Sequence, residues 1–153
     1  MMLRLKSNSS KELEKVISEN DDYGFQKYVP DTTKPRAIIV DIDGTIAHKS
    51  DRSPYDWKRV GEDEPDEVIR NLLYAMIDHF RSCDNDSEDV DIIYVSGRDS
   101  VCRQETIEWL NLHNFPDGML YMRAENDARK DSIVKYELFD THIRNNYNVL
   151  FVS

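Results

Sequence analysis

The chain has 153 residues, 39% of them apolar, which suits one domain burying roughly 68–70% of its unfolded surface with no disulfide or metal staple. Acids outnumber bases 30 to 20, for a net charge of −10 and a pI near 4.8. That balance excludes a protein gripping nucleic acid by bulk positive charge or a basic membrane-surface binder, and no apolar run reaches the roughly 18–20 residues of a transmembrane helix.

The first residues, MMLRLKSNSSKELEKV, turn polar after five positions, unlike a secretory signal. Cys83 and Cys102 form no metal or disulfide pattern, so the expected setting is a reducing one, the cytoplasm. Residues 1–34 read as an arm or linker. SSKELEKVISEN suits a short helix capped by Ser9 or Ser10, and DDYGFQKYVPDTTKP is turn-rich. The run AIIVDI, residues 37–42, ends in acid and predicts a buried parallel strand. Residues 44–64 are loop-like. Residues 65–81 place Val68, Ile69, Leu72, Leu73, Met76, Ile77 and Phe80 at helical spacing, with Pro65, Asp66 and Glu67 suited to the helix start.

The segment 82–89 reads as a loop and VDIIYVSG, 90–97, as a second buried strand. A helix is expected over 99–112, a strand over 118–123, a helix over 127–142 and a strand over 148–153. Alternating strands and helices predict an α/β fold: a Rossmann-like parallel sheet with helices on both faces. Charge is uneven along this order. Residues 62–91 hold eleven acids and two bases, whereas residues 1–35 are balanced, so the excess reads as one solvated helix face and loop.

Ligands of such sheets bind at the carboxyl ends of the strands. After the first strand stand Asp41 and Asp43, two residues apart, followed by Gly44 and Thr45. One carboxylate beside another and a metal suits a nucleophile toward phosphorus, and the second suits a general acid and base. D-x-D alone is equally an ordinary turn or helix-cap pair. After the second strand, Ser96 and the backbone at Gly97 suit a phosphate oxygen, and Arg98 either forks onto phosphate or holds the site's acids. Arg123 follows the third strand, and Lys130 is placed to neutralise a nucleophilic aspartate and a bound phosphate together. Each is an ordinary surface or turn residue when taken singly; the joint order DxDGT, SGR, RKD is not.

These three motifs resemble the haloacid dehalogenase superfamily of phosphotransferases. IAHKSDRSPYDWKRVGEDEPDEVI further resembles the phosphatase domain of bacteriophage polynucleotide kinase/3′-phosphatases, a likeness covering about residues 34–152. The resemblance implies a Mg²⁺-dependent phosphomonoesterase. Asp41 would carry the phosphoryl group, and Asp43 would act as acid and base. Mg²⁺ would sit on the Asp41 carboxylate and the Asp43 carbonyl. Ser96 and Lys130 would hold the phosphoryl oxygens, Thr45 would assist, and Arg98 and Arg123 would lie near the phosphate and its nucleotide. Residues 46–61 would form a small cap with Arg52, Tyr55 and Trp57 as candidate substrate contacts, inside a phosphatase domain spanning 35–153.

The sequence departs from the pattern twice. No G-x-x-x-x-G-K-[ST] motif occurs in the 153 residues, so no 5′-kinase activity is expected of them. The acidic pair that follows the family's fourth strand is also missing, since Ser153 follows NVLFV directly. The expectation is a domain lacking its C-terminal part, with weakened metal affinity and impaired turnover. Its expected partners are a phosphorylated nucleic-acid end or nucleotide, and a second copy or a completing chain, with no membrane. The alternatives are a nucleotidase or other small-molecule phosphatase, and a non-catalytic phosphate-binding remnant. Asp41→Asn should abolish phosphate release while leaving the circular dichroism spectrum unchanged, because an amide nitrogen cannot attack as a carboxylate oxygen does. A variant turning over at the parent rate would refute the nucleophile assignment.

Overall fold

A computed structural model describes residues 25–83 and 89–153. The helix expected over 9–20 and most of the loop at 82–89 lie outside them. The first strand, β1 (Arg36–Asp41), is followed by a two-residue ribbon, β2 (Ala47–His48) and β3 (Glu64–Pro65), with a 3₁₀ helix at Trp57–Glu62 between them. Then come α1 (Glu67–Cys83), β4 (Val90–Asp99), α2 (Arg103–Leu112), β5 (Met119–Arg123), α3 (Asp131–His142) and β6 (Asn148–Val152). The four long strands form one parallel sheet in the order β5-β4-β1-β6.

β1 is buried on both faces, which is why it reads as a continuous apolar run rather than an alternating one. Its side chains divide by parity. Ile38 and Val40 join Ile92 and Tyr94 in a core that α1 and α2 complete with Leu73, Ile77, Trp109 and Leu110. Ala37 and Ile39 join Ile93 and Val95 in a second cluster, beneath Leu138, Phe139 and Ile143 at α3 and its C-terminal end. Helices therefore cover both faces, two on one side and one on the other. Residues 25–28 lie against the α3 side. Tyr28 donates its hydroxyl to the Tyr147 carbonyl and accepts from the Val149 amide, and Phe25 packs on Tyr136 at 4.2 Å.

Three helices start later than their patterns suggest, α2 after a 3₁₀ turn at Ser100–Cys102 and the other two for local reasons. Pro65 pairs with Ala47 in the ribbon, so Asp66 becomes the cap of α1, accepting from the Ile69 amide at 2.9 Å and meeting His48 at 2.9 Å. At α3, residues 127–130 form a loop instead of a first turn. Asp127 accepts from the Arg129 amide and guanidinium, and such local side-chain bonds compete with helix. Arg129 holds the Asp127 carboxyl down to about 2. This clip therefore contributes fully above the ordinary aspartate pKa and is lost only as pH falls through about 2.

Trp109 is the largest fully buried side chain. It stacks on Phe115 at 5.3 Å and donates Nε1–H to the Asp63 carbonyl at 2.8 Å, joining α2 to the segment before β3. Trp109→Ala should cost about 3–5 kcal/mol, measured as a lower urea midpoint. A midpoint equal to the parent's would mean the indole is not part of the core.

Candidate active site

The chain runs from β1 outward to β4 and β5 on one side, then returns to place β6 on the other, so the switch point lies beside β1. Asp41 ends β1 there. Past it the chain turns sharply: the amides of Thr45, Ile46 and Ala47 all converge on the Ile42 carbonyl, and Gly44 adopts φ +81°. That left-handed conformation favours glycine and brings Asp43 up beside Asp41.

The two carboxylates meet different partners. Asp41, about a quarter exposed, accepts from Lys135 Nζ at 2.7 Å, and its amide donates to Ser153 Oγ at 3.2 Å. Lys135 also meets Asp131 Oδ2 at 3.1 Å, one helical turn away. Burial pushes the Lys135 ammonium down, but its hydrogen bond and charge pairing with Asp41, joined by Asp131, outweigh this and raise it. Lys135 therefore stays cationic at neutral pH.

Asp43 is held by buried guanidinium. Arg98 Nε lies 3.0 and 3.1 Å from its two oxygens and Arg98 Nη2 lies 3.0 Å from Oδ1. Ser96 Oγ donates to Asp43 Oδ2 at 3.3 Å and accepts the Arg98 amide at 3.1 Å. Arg98 Nη2 also meets Asp63 Oδ2 at 2.7 Å. Asp63 in turn takes the fork of Arg52, at 2.5 Å from Nε and 2.6 Å from Nη2. The side chains of Arg98 and Asp63 have no exposure, and that of Arg52 only 1%.

Three of the sequence candidates take distinct places around these contacts. The lysine that meets Asp41 is Lys135, whereas Lys130 caps α3 and lines the neighbouring cavity. Because α3 begins at Asp131, position 130 precedes the helix and position 135 lies one turn in, within reach of Asp41 at the end of β1. Of the two roles open to Arg98 it takes the second, holding the site's acids, and no part of its side chain reaches solvent. Arg123 braces the loop before α3: it donates to the carbonyls of Gly97 (2.7 Å), Asp127 (3.0 Å) and Arg129 (2.6 Å) and to Asp131 (3.1 Å). A Cβ on Gly97 would meet the half-exposed Asp131 carboxylate, which would have to turn aside. Thr45 stands half-buried in the turn after Asp43.

Lys135 and Asp63 were missed. For Lys135 the available signal was its i, i+4 spacing from Asp131 on a helix facing the sheet. Asp63 sits in the run EDEPDE, where nothing local sets one acid apart.

A cavity of about 630 Å³ adjoins the strand ends, bordered by Tyr55, Trp57, Gly97, Arg123, Lys130 and Asp131. The rings of Tyr55 and Trp57 meet edge to face at 6.3 Å on its rim, with Tyr55 81% exposed. Mg²⁺ is commonly bound through one or two carboxylates plus substrate phosphate and water. Asp41 offers one such carboxylate. The Asp43 carboxylate is committed to Arg98, so any Asp43 ligand is its backbone carbonyl, as the resemblance implies. Among the described residues no group of three or more Asp, Glu, His or Cys side chains could hold a metal alone. The residues thus fit a site that Asp41 begins and a phosphate completes. Among the described residues no helix is long and apolar enough to cross a membrane.

A parallel sheet with D-x-D beyond its central strand, and a lysine reaching the first acid, defines a haloacid dehalogenase-type phosphatase. The chain belongs to the polynucleotide kinase PNKP phosphatase domain family, whose model matches residues 35–153. It is 34% identical over 145 residues to a protein of Autographa californica nuclear polyhedrosis virus named as a bifunctional polynucleotide kinase/RNA ligase. That match covers 93% of this chain and 19% of the relative. Two solved Pnkp1/Rnl/Hen1 complexes, one called an RNA repair complex, contain chains of similar fold, each with a TM-score of 0.71. Identities are 30% and 27%, over 84% and 93% of this chain but 41% and 46% of theirs.

If Lys135 is the cation that serves Asp41, Lys135→Met should lower phosphate release by roughly 10²–10³-fold. Lys130→Met should stay within about threefold of the parent. The reverse pattern in a phosphate-release assay would return the role to Lys130.

Proposed function

We propose that this chain is a phosphomonoesterase that removes 3′-phosphates from nucleic-acid ends through an aspartyl-phosphate. The observation that carries this reading is the pair of carboxylates beyond β1, each in its own cationic setting: Asp41 partly open beside Lys135, Asp43 fixed on Arg98 and Ser96. Paired titratable groups with different surroundings are how one site runs nucleophilic and acid–base steps together.

In this reading an Asp41 oxygen attacks phosphorus and the bond to the 3′-oxygen breaks. Asp43 delivers a proton to that leaving oxygen. It then takes a proton from the water that attacks phosphorus and frees Asp41. Lys135 offsets the charge that Asp41 and the phosphoryl group bring together. Thr45 and the Gly97 backbone border the phosphoryl oxygens, and the fully buried Ser96 holds Asp43 through its hydroxyl rather than meeting the phosphate. Mg²⁺, held by the Asp41 carboxylate and the Asp43 carbonyl, would supply charge stabilisation on the phosphoryl oxygens when bound.

The substrate class rests on the family and on the relatives' names. The cavity rimmed by Tyr55 and Trp57 has the size of a small-ligand site and aromatic walls suited to a nucleotide. A 3′-phosphate blocks ligation and a 3′-hydroxyl permits it, so we place the reaction upstream of an RNA ligase, inside the cell that the ligase serves. A second polypeptide segment or chain completing the assembly fits the same reading.

The test compares phosphate release from a 3′-phosphorylated oligonucleotide, a nucleoside 3′-monophosphate and an aryl phosphate, with Mg²⁺ and with chelator. The oligonucleotide should be preferred at least tenfold in kcat/KM over the aryl phosphate, and chelation should abolish turnover. Equal turnover of all three would replace the polynucleotide reading with a general phosphatase.

A further inference from the structure

Asp63 takes no part in the proposed reaction, yet its fully buried carboxylate holds two guanidiniums at 2.5–2.7 Å. Two guanidiniums, Arg52 and Arg98, are buried against it, and Asp43 is the other acid they can reach. Arg52 commits Nε and Nη2 to Asp63, and its Nη2 lies 3.8 Å from Asp43. Arg98 divides itself, with Nη2 at 2.7 Å from Asp63 and Nε at 3.0 and 3.1 Å from Asp43. We propose that Asp63 is a positioning residue of this site: it takes up Arg52 and aligns Arg98, so that Arg98 alone sets the orientation of Asp43. This inference rests on the reading of Asp43 as the acid and base and deepens it.

The physical reasons are charge and geometry. The four groups carry two positive and two negative charges, so the buried cluster is balanced. Without Asp63, two buried guanidiniums would compete for Asp43, and its carboxylate would be drawn toward Arg52 and away from its present place. Asp63 is itself well anchored. Its carbonyl accepts from Trp109 Nε1 at 2.8 Å, and its amide donates to the Val60 carbonyl at 3.3 Å. The anchor passes from α2 through Trp109 and Asp63 to Arg98 and Asp43.

A purely structural Asp63 would latch the 46–65 insertion to β4 with no effect on the chemistry of folded protein. Three proteins separate the two roles: the parent, Asp63→Asn, and the double variant Asp63→Asn/Arg52→Gln, which buries no unpaired charge. In the Asp63→Asn crystal structure, Asp43 should leave Arg98 Nε. With a 3′-phosphorylated oligonucleotide, kcat should fall roughly 10–100-fold and KM should stay within about threefold. The double variant should restore the Asp43–Arg98 contact and at least tenfold of the loss.

Asp43 unmoved on Arg98 in Asp63→Asn, or a folded Asp63→Asn with parental kcat, would overturn the proposal. If Asp63→Asn does not fold, the double variant decides: Asp43 seated on Arg98 supports the proposal, and Asp43 turned away sinks it. The crystal readout needs no turnover. A parent that releases phosphate from no substrate would therefore count against the phosphatase reading alone, while the position of Asp43 would still decide the role of Asp63.

Discussion

A carboxylate can stand at the tip of β1 because the strand beneath it is buried on both faces. Ile38 and Val40 are gripped by the α1–α2 layer and Ala37 and Ile39 by the α3 layer, so the end of the strand has little freedom to move. Burial on both faces also decides the neighbours. Only parallel strands with crossover helices cover a sheet this way, and crossovers send every strand's carboxyl end to one edge. Asp41, Ser96, Arg123 and Ser153 meet at that edge because of this topology, although up to 112 residues separate them in the chain.

Within that frame the site works by keeping two like charges in different company. Asp41 has a flexible, partly exposed ammonium as partner, one that can adjust when a phosphoryl group arrives. Asp43 has a rigid planar guanidinium with no exposure. In the proposed reaction a carboxylate that receives a phosphoryl group can rest on an adaptable partner, and one that must aim a proton gains from a fixed one. Sequence spacing alone presents Asp41 and Asp43 as equals; their partners come from α3 in one case and from β4 and the insertion in the other.

The parts of the molecule that were legible in sequence are those governed by local pattern. β1, β4, β5 and β6 stand where apolar runs predict them, because buried parallel strands need no more than that pattern. Helix starts were less legible, since Asp66 and Asp127 choose between helix and cap according to partners found elsewhere or two residues on. The D-x-D pair could be found because both acids lie on one turn. Lys135 could not be told from Lys130 before the register of α3 was known. The sequence leaves Arg98 two roles, phosphate or the site's acids, and its total burial against Asp43 and Asp63 decides for the acids.

The net charge of −10 takes on a different meaning through Asp63. Among the described acids of residues 62–91, Glu62, Glu64, Glu67, Asp78 and Asp89 are exposed, as on a solvated face, and contribute little beyond solubility. Asp63 belongs to that same run yet has no exposure. It is the counterweight that lets two arginines be buried beneath an acid–base pair. The same acidic stretch therefore supplies a carboxylate that balances the two arginines buried beneath Asp43. Net charge is a property of the surface as a whole; the setting of Asp43 is decided by a cluster that the surface charge does not reveal.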